Sequence, residues 1–322
     1  MKDQFQREID YLRVSVTDRC NLRCRYCMPE EGVILKGHKD ILSLEEIAQV
    51  VSCAAELGIK KVRLTGGEPL VRKGFIGLVE EINAINGIEE ISLTTNGILL
   101  AEYARKLKQA GLKRVNISLD TMDKEKFHHI PRHGNLDRVW QGINAALEED
   151  LGPVKLNVVV VKDFNHDEIL DFASLTKDRP LHVRFIELMP IGESSGKGFL
   201  PLKQVKEIIK DYYGMEEKEG VTGNGPSMNY TLPRAKGSIG FIGALSEHFC
   251  SKCNRLRLTA DGKLRPCLQK DLEVDLRESL RKGKKSDLKQ IFAKTINIKP
   301  MEHDMELNGW GDQPRNMSQI GG

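Results

Sequence analysis

The sequence predicts an α/β fold, with an incomplete TIM-like barrel of six β/α units followed by a smaller C-terminal α+β module. From residue 11 to about 190, short runs rich in β-branched residues alternate with amphipathic stretches. This alternation is typical of a parallel sheet with right-handed crossovers. The units together occupy roughly 180 residues, which suits an incomplete barrel; an open doubly wound sheet is the competing interpretation.

The elements of the barrel can be placed one by one. The predicted strands are Leu12–Thr17, Lys61–Thr65, Glu90–Thr95, Arg114–Leu119, Val154–Val161 and His182–Met189. The predicted helices between them are Ser43–Leu57, Gly74–Ile85, Ala101–Ala110, Leu136–Leu147 and Asp167–Thr176. The first helix has the clearest start, because Ser43 and Glu46 have the spacing of a capping box.

Several of these strands are polar at alternate positions, although central parallel strands normally read as continuous apolar runs. The polar positions are Arg13, Ser15, Thr17, Arg63, Thr65, Ser92, Thr94, Asn116, Ser118, Lys155 and Asn157. Because alternate residues of a strand face the same side, we expect these side chains to line the lumen; a face open to water is the alternative. Arg13, Arg63 and Lys155 would then form an anion pocket suited to a phosphate chain.

The character of the sequence changes after Met189, where a Gly- and Ser-rich connection covers residues 190–198. We therefore predict a barrel domain over residues 1–194 and a C-terminal module over residues 195–322. The predicted elements of the module are a helix at Leu202–Tyr213, short β runs near Tyr230, Ile239 and Leu256, and charged helices at Leu272–Arg281 and Asp287–Ala293.

Composition favours a cytoplasmic globular protein. Hydrophobic residues make up 40% and charged residues 30% of the chain, which supports a packed core. The sequence has no apolar run as long as a membrane span and no signal-peptide core, and a net charge of +3 argues against nucleic-acid binding over a whole surface. Seven cysteines in that compartment indicate metal ligands or reactive thiols before disulfides. Cys53 lies inside a helical pattern and is expected to be a buried structural thiol.

A first set of cysteines, Cys20, Cys24 and Cys27, directly follows the first predicted strand. Intervals of four and three residues can direct three thiolates at one centre. A closed zinc site wants four ligands, and a 4Fe–4S cluster is usually held by four cysteines. Three cysteines therefore suggest a cubane with one open iron; surface thiols without a metal and a truncated zinc knuckle are the alternatives.

A second set of three lies near the C-terminus. It comprises Cys250, Cys253 and Cys267. His248 is close enough in sequence to be a rival ligand of a structural zinc site, and a second cluster with an open iron is the other interpretation. Arg255 and Arg257 follow on alternate positions of a short β run, so both guanidiniums could face one anionic ligand.

The Cys-x3-Cys-x2-Cys spacing, with Tyr26 just before the last cysteine, resembles the signature of the radical S-adenosylmethionine enzymes. In that superfamily the open iron binds the methionine part of the cofactor, and an electron from the cluster generates a 5′-deoxyadenosyl radical. Further matches cover Leu12–Asn21, Arg63–Leu70 with its Gly66-Gly67-Glu68-Pro69 sequence, Leu93–Gly97, Asn116–Asp120, Arg184–Pro190, the second cysteine set and the terminal Gly321-Gly322. Over almost the whole chain the sequence resembles the GTP 3′,8-cyclase family, the molybdenum cofactor biosynthesis protein A family.

The resemblance implies a lyase that converts GTP into (8S)-3′,8-cyclo-7,8-dihydroguanosine 5′-triphosphate in molybdenum cofactor biosynthesis, using two 4Fe–4S clusters and S-adenosylmethionine. It implies that Cys20, Cys24 and Cys27 hold the first cluster and Cys250, Cys253 and Cys267 the second. It assigns Tyr26, Gly67, Ser118 and Met189 to S-adenosylmethionine, and Arg13, Arg63, Thr94, Lys155, Arg255 and Arg257 to GTP. The tail glycines would reach toward the active site. Lys155 lies near the start of its strand, so Lys162 is better placed on geometry alone.

The resemblance also implies partners: a reductant protein for the cluster, a cyclic pyranopterin monophosphate synthase as the next enzyme, and a possible homodimer. Two other functions remain open from the sequence. One is a peptide-modifying radical S-adenosylmethionine enzyme with an auxiliary cluster, and the other is a non-catalytic iron–sulfur or zinc protein.

Overall fold

The computed structural model describes residues 1–129, 134–191, 198–218, 225–283, 285–303 and 315–321. The described strands are β1 Tyr11–Ser15, β2 Lys61–Thr65, β3 Glu90–Thr95, β4 Arg114–Ser118, β5 Val154–Val160, β6 Leu181–Glu187, β7 Glu216–Glu217, β8 Met228–Thr231, β9 Ser238–Ile242, β10 Arg255–Leu258, β11 Lys263–Arg265 and β12 Val274–Asp275. The described helices are α1 Leu44–Glu56, α2 Phe75–Asn83, α3 Leu100–Gln109, α4 Lys124–His129, α5 Leu136–Glu148, α6 Ile169–Asp178, α7 Leu202–Tyr213, α8 Arg277–Arg281, α9 Lys285–Asn297 and α10 Met317–Ile320.

These strands form one sheet in the order β12-β11-β10-β1-β2-β3-β4-β5-β6-β9-β8-β7. Strands β1 to β6 pair with their sequence neighbours in parallel. The C-terminal chain extends this parallel run at both edges, because β10 pairs with β1 and β9 pairs with β6 in parallel. Antiparallel strands complete each edge. Within the described ranges no ladder joins the two ends of the sheet, so the barrel is open.

Helices cover the outer face of the parallel strands, and the apolar positions of strands and helices form the core between them. Helix α1 buries Ile47, Val50 and Val51, and Leu64 of β2 is fully buried in the same cluster. The capping box that the sequence predicts is present, with Ser43 as the N-cap of α1. The apolar residues of each helix recur with a period of 3.6 residues and form one apolar side, and the hydrophobic core lies between this side of the helices and the sheet.

The predicted barrel elements are confirmed, with boundaries that differ by at most two residues at each end. Leu202–Tyr213 is a helix as predicted, and Cys53 is buried within α1. The sequence reading missed α4, and the predicted helix Leu272–Arg281 is wrong over its first half, which contains β12. The C-terminal strands belong to the barrel sheet and not to a sheet of their own. The predicted boundary between residues 194 and 195 lies outside the described residues and stays a prediction.

None of the helices that the structure describes combines the length and the hydropathy needed to cross a bilayer.

Candidate active site

A cavity of about 300 Å³ lies on the inner face of the barrel and is lined by both cysteine sets. The first set follows β1, so it lies at the carboxyl end of the parallel strands, where such folds gather their active sites. Cys253 immediately precedes β10, whose Arg255 pairs with Tyr11 at the start of β1. The second set therefore lies at the opposite end of the strands, roughly 17 Å away for a five-residue strand. The lumen connects the two.

The first cysteine loop is held against two glycines that no other residue could replace. Gly67 lies so close to the loop that a Cβ atom there would sit 2.2 Å from the Arg19 carbonyl oxygen. Gly66 has a φ of 153° and a similarly close approach to Thr17. The backbone amides of Gly67 and Glu68 donate to the carbonyls of Thr17 and Arg19, at 2.8 Å each. This close packing sets the path of the chain into Cys20.

The three thiols of the first set line the cavity together, and the turn between Cys24 and Cys27 is closed by a 2.9 Å backbone hydrogen bond. Burial raises the pKa of the Cys20 thiol to about 12, and a hydrogen bond with Cys27 together with burial raises the pKa of Cys24 well above its ordinary value. Buried thiols of this kind need a bound cation to become thiolates. Three convergent cysteines with an accessible cavity beyond them fit a 4Fe–4S cluster that leaves one iron toward the lumen.

Tyr26 and Asp120 form the wall next to the first set. The Tyr26 hydroxyl donates to Asp120 Oδ2 at 2.5 Å, and the amide of Val159 donates to Asp120 Oδ1 at 2.9 Å. Burial raises the pKa of Asp120 to about 6, and burial and the Asp120 carboxylate raise the pKa of Tyr26. Ser118 and Met189 complete this part of the lining. Their assigned role, holding S-adenosylmethionine, stays a prediction.

Glu68 of the Gly-Gly-Glu-Pro sequence is not among the described lining residues of the cavity, and it organises the loops around the cavity. Its carboxylate accepts hydrogen bonds from the Leu70 amide, the Thr95 hydroxyl and the Asn96 amide, at 2.7–3.0 Å. The side chain is fully buried, and this burial raises its pKa to about 7. Glu68 therefore ties the ends of β2 and β3 together without contacting the lumen.

Arginines cross the lumen in register. Arg257, Arg13 and Arg63 occupy equivalent positions on three adjacent strands, so their side chains project from the same face. Burial, then Arg257 and Arg63, lower the pKa of Arg13 well below its ordinary value. Burial and Arg255 lower the pKa of Arg257 to about 10, and burial and Arg63 lower that of Arg184 to about 9. Such crowding of buried cations is relieved by a polyanion.

Buried polar atoms that find no hydrogen-bond partner among the residues that the structure describes mark the same surface. They are Thr94 Oγ1, Asn157 Oδ1, Arg184 Nε, Arg255 Nε and the Tyr11 hydroxyl, and all five residues line the cavity. Because a buried polar group without a partner costs stability, this lining is suited to a ligand rich in donors and acceptors. A nucleotide is such a ligand.

Lys155 differs from the other predicted residues. It is buried on β5 in register with Asn116 and His182, and the described part of the chain does not place it in the cavity lining. Burial and Arg184 lower its pKa to about 6. Lys162 is exposed and outside the described lining too. Which of the two lysines reaches the triphosphate stays a prediction.

The second cysteine set is anchored by a buried cation. Lys299 Nζ donates to Cys253 Sγ at 3.4 Å and to the carbonyls of Arg255 and Pro266 at 2.9 and 2.7 Å. Burial alone would raise the pKa of Cys253, but Lys299 and Arg255 lower it below the ordinary value. Cys250 begins a short 3₁₀ turn that Cys253 ends. A thiolate favoured next to a fixed cation, with two more thiols around the cavity, fits a second cluster.

The C-terminal tail enters the same space. The carbonyl oxygen of Gly321 accepts hydrogen bonds from Arg13 at 3.3 Å and from Arg257 at 3.5 Å. Gly321 has a φ of 76°, and a Cβ there would lie 2.9 Å from Ser15 Cβ and 3.1 Å from Thr65 Cγ2. A glycine is therefore required for this approach. Gly322 lies outside the described residues.

Comparison with known proteins agrees with this arrangement. A family model for the radical SAM superfamily matches residues 14–176, and one for Molybdenum Cofactor Synthesis C matches residues 181–305. The GTP 3′,8-cyclase of Moorella thermoacetica is 59% identical over 325 residues, and that of Heliobacterium modesticaldum is 53% identical over 327, with all of both chains covered in each case.

The chain belongs to the GTP 3′,8-cyclase family. Its fold is also found outside the family. Streptococcus suis SuiB bound to S-adenosylmethionine superposes with a TM-score of 0.62 at 16% identity, covering 87% of this chain and 65% of that one. At this identity the likeness shows the fold alone, and this chain spans less than two thirds of SuiB.

Within this member of the GTP 3′,8-cyclase family, the structure brings every predicted site residue except Lys155 to one cavity. Sequence reasoning missed Tyr11, Arg184 and His303, which also line it. Tyr11 lies two residues before Arg13 on β1, and Arg184 lies two residues after His182 on β6, so each pair faces the same side of its strand. The alternation of polar positions could therefore have indicated both Tyr11 and Arg184. No sequence pattern pointed to His303, because it follows α9 in an irregular segment.

Proposed function

We propose that this chain cyclises GTP to (8S)-3′,8-cyclo-7,8-dihydroguanosine 5′-triphosphate, in the first step of molybdenum cofactor biosynthesis. One observation carries the proposal: a single cavity has a three-cysteine set at each end of the parallel strands and a register of arginines between them. A radical source and a nucleotide site are thus joined by a lumen. Membership of the GTP 3′,8-cyclase family supports the same reaction.

The two cysteine sets would hold the two 4Fe–4S clusters, Cys20, Cys24 and Cys27 the first and Cys250, Cys253 and Cys267 the second. Tyr26, Gly67, Ser118 and Met189 would hold S-adenosylmethionine beside the first. When bound, S-adenosylmethionine would supply, on one-electron reduction by the first cluster, the radical that takes the C3′ hydrogen of GTP; forming the C3′–C8 bond of the dihydro product would then take one further electron and one proton.

The residues of the chain orient GTP and exclude water. Arg13, Arg63 and Arg257 present a fixed row of guanidiniums to the triphosphate, and Arg255 and Thr94 add donors on either side. Binding of the polyanion offsets the mutual repulsion of these crowded guanidiniums, and this contributes to the affinity. Orientation of C3′ toward the radical source can be worth roughly 7–11 kcal/mol. The buried lining keeps the reacting centre dry.

An experiment with labelled substrate tests the proposal. The protein is reconstituted anaerobically with iron and sulfide and given S-adenosylmethionine, a strong reductant and GTP deuterated at C3′. We expect deuterium in the 5′-deoxyadenosine measured by mass spectrometry, and none from Cys24→Ser, which lacks one ligand of the first cluster. Unlabelled 5′-deoxyadenosine with intact GTP would retain radical chemistry but refute the nucleotide assignment. Loss of cleavage in protein with both clusters intact would refute the enzyme assignment.

Further parts of the proposal concern surroundings and partners. A reductant protein delivers the electron to the first cluster, and a cyclic pyranopterin monophosphate synthase consumes the product. We also propose a cytoplasmic location and a homodimer. The family relationship supports these four points, and cross-linking or light scattering of the reconstituted protein tests the dimer.

A further inference from the structure

Two histidines lie next to the first cysteine of the second set. Among the described residues, ligand atoms of His248, Cys250 and His303 all lie within 4.8 Å of one another. The imidazole rings of the two histidines are 4.4 Å apart between centroids and inclined by 34°. His248 is exposed and His303 is buried, so the group is open to solvent at His248. The two imidazoles have no role in the reaction described above, whereas the Cys250 thiol is also assigned to the second cluster.

A buried arginine holds the group together. Arg7 donates to the Cys250 carbonyl at 2.8 Å and to the Met301 and Pro300 carbonyls at 2.8 and 2.6 Å. It is itself paired with buried Asp3 at 2.6 Å. The guanidinium therefore ties the turn at Cys250 to the segment that ends at His303, although the two are far apart in sequence. The ligand set is positioned by the fold and does not need a metal to assemble.

We propose that His248, Cys250 and His303 form a mononuclear zinc site that shares Cys250 with the second cysteine set. One thiolate and two imidazoles are ligands that Zn²⁺ prefers, and water completes the tetrahedron. Around one zinc, bond lengths near 2.0 and 2.3 Å put sulfur and nitrogen about 3.5 Å apart. Because the ligand atoms already lie within 4.8 Å of one another, side-chain rotation has to bring the Cys250 sulfur and each imidazole nitrogen closer by no more than about 1.3 Å. Zn²⁺ replaces the thiol proton of Cys250, the proton leaves to solvent, and no electron is transferred.

The shared ligand makes zinc and the second cluster mutually exclusive. A Cys250 thiolate bound to zinc cannot also bind an iron of the cluster, so zinc blocks iron loading at this end of the lumen. This competition does not depend on cyclase activity and can be measured in its absence. It would protect the site from wrongly assembled clusters or hold it inactive until iron is supplied.

The test uses the full-length chain without iron, carrying Cys20→Ala, Cys24→Ala and Cys27→Ala so that the first thiol set cannot take zinc. Zinc alone is the probe, measured by equilibrium dialysis with elemental analysis and by zinc X-ray absorption. We expect one zinc per chain with one sulfur ligand. The affinity should fall by more than about 100-fold in His248→Ala, above the 10–100-fold typical of losing an outer-shell partner.

The matched control is Cys267→Ala, which removes a cluster ligand but no ligand of the proposed zinc site. It should retain zinc. Because His248 is exposed, His248→Ala should fold normally, which far-ultraviolet circular dichroism checks. With the first thiol set restored, zinc should block iron uptake at the second set in the parent protein but not in His248→Ala.

Three results would overturn the inference. The first is three sulfur ligands around the zinc, and the second is loss of zinc in Cys267→Ala with retention in His248→Ala; both describe a three-cysteine site. The third is iron loading of the parent protein that zinc does not affect.

Discussion

The docked C-terminal tail leads to a sharp prediction for Gly321→Ala. A left-handed backbone costs a non-glycine residue about 1–2 kcal/mol, and the new Cβ would press on Ser15 and Thr65 at 2.9 and 3.1 Å. Overpacking of this kind typically costs about 1–3 kcal/mol. The docked tail is therefore disfavoured by about 2–5 kcal/mol, and because 1.4 kcal/mol is a factor of ten, the equilibrium constant for docking falls by at least about 30-fold.

The loss should appear in activity and not in global stability. The last helix, α10, has four residues, so the tail can leave its site without unfolding the barrel. Undocking removes the Gly321 carbonyl from Arg13 and Arg257. We expect the rate of 3′,8-cyclised product formation, measured anaerobically by liquid chromatography with mass spectrometry, to fall with the docked fraction of the tail, by up to about 30-fold for a docking cost of about 2 kcal/mol. The melting temperature should stay unchanged.

Gly283→Ala is the matched control. Gly283 also has a left-handed backbone, with a φ of 69°, but an added Cβ there meets no atom within 4 Å. It should cost about 1–2 kcal/mol of stability and leave the rate of product formation unchanged. An unchanged rate in Gly321→Ala would refute the reasoning, as would an equal loss of activity in both variants.

Three further predictions concern buried charges. Burial and Arg184 lower the pKa of Lys155 to about 6, and a bound triphosphate would raise this pKa again. GTP should therefore bind more tightly when Lys155 is protonated, so the KM for GTP should rise between pH 6 and 8. This pH dependence should vanish in Lys155→Met but not in Lys162→Met. Burial raises the pKa of Glu68 to about 7 from 4.5, so the folded state retains a proton that the unfolded chain loses, and the free energy of unfolding should fall by up to about 3 kcal/mol from pH 4.5 to 7. Chemical denaturation should show that Glu68→Gln removes this slope, and an unchanged slope would contradict the assignment. Arg7→Met leaves buried Asp3 without its cation and should lower the free energy of unfolding, measured by the same method, by about 3–5 kcal/mol. Arg105→Met, at an exposed position, should lower it little. Equal effects of the two substitutions would disprove the structural role given to Arg7.

Much of the fold could be predicted because hydrophobic periodicity is local. The period of two in the strands and of 3.6 in the helices located the barrel elements to within two residues. The short C-terminal strands were harder, since β12 has two residues and a run of that length carries no period. Pairing of β10 with β1 and of β9 with β6 joins segments far apart in the chain. No local pattern encodes such a ladder.

The candidate site divides in the same way. Cysteine spacing and polar strand parity were enough to predict the lining residues Cys20, Cys250, Arg13 and Arg63, because both signals lie within a few consecutive residues. The parity signal also applied to Lys155, which the structure buries on β5 in register with Asn116 and leaves outside the described cavity lining. The alternation of residues along a strand indicates which face of the sheet a side chain lies on. The position of that side chain along the barrel axis depends on the stagger of neighbouring strands.

The sequence by itself determined the chemistry of this protein: the two thiol sets, the glycines that let the chain approach the first of them, and the cationic face of the strands. Only the tertiary structure decided which groups meet. It placed the thiol sets at opposite ends of one lumen, brought Gly321 to Arg13, and set His303 beside Cys250. Residue types and short spacings specify what a side chain can bind, whereas encounters between distant segments depend on the packing of the whole sheet.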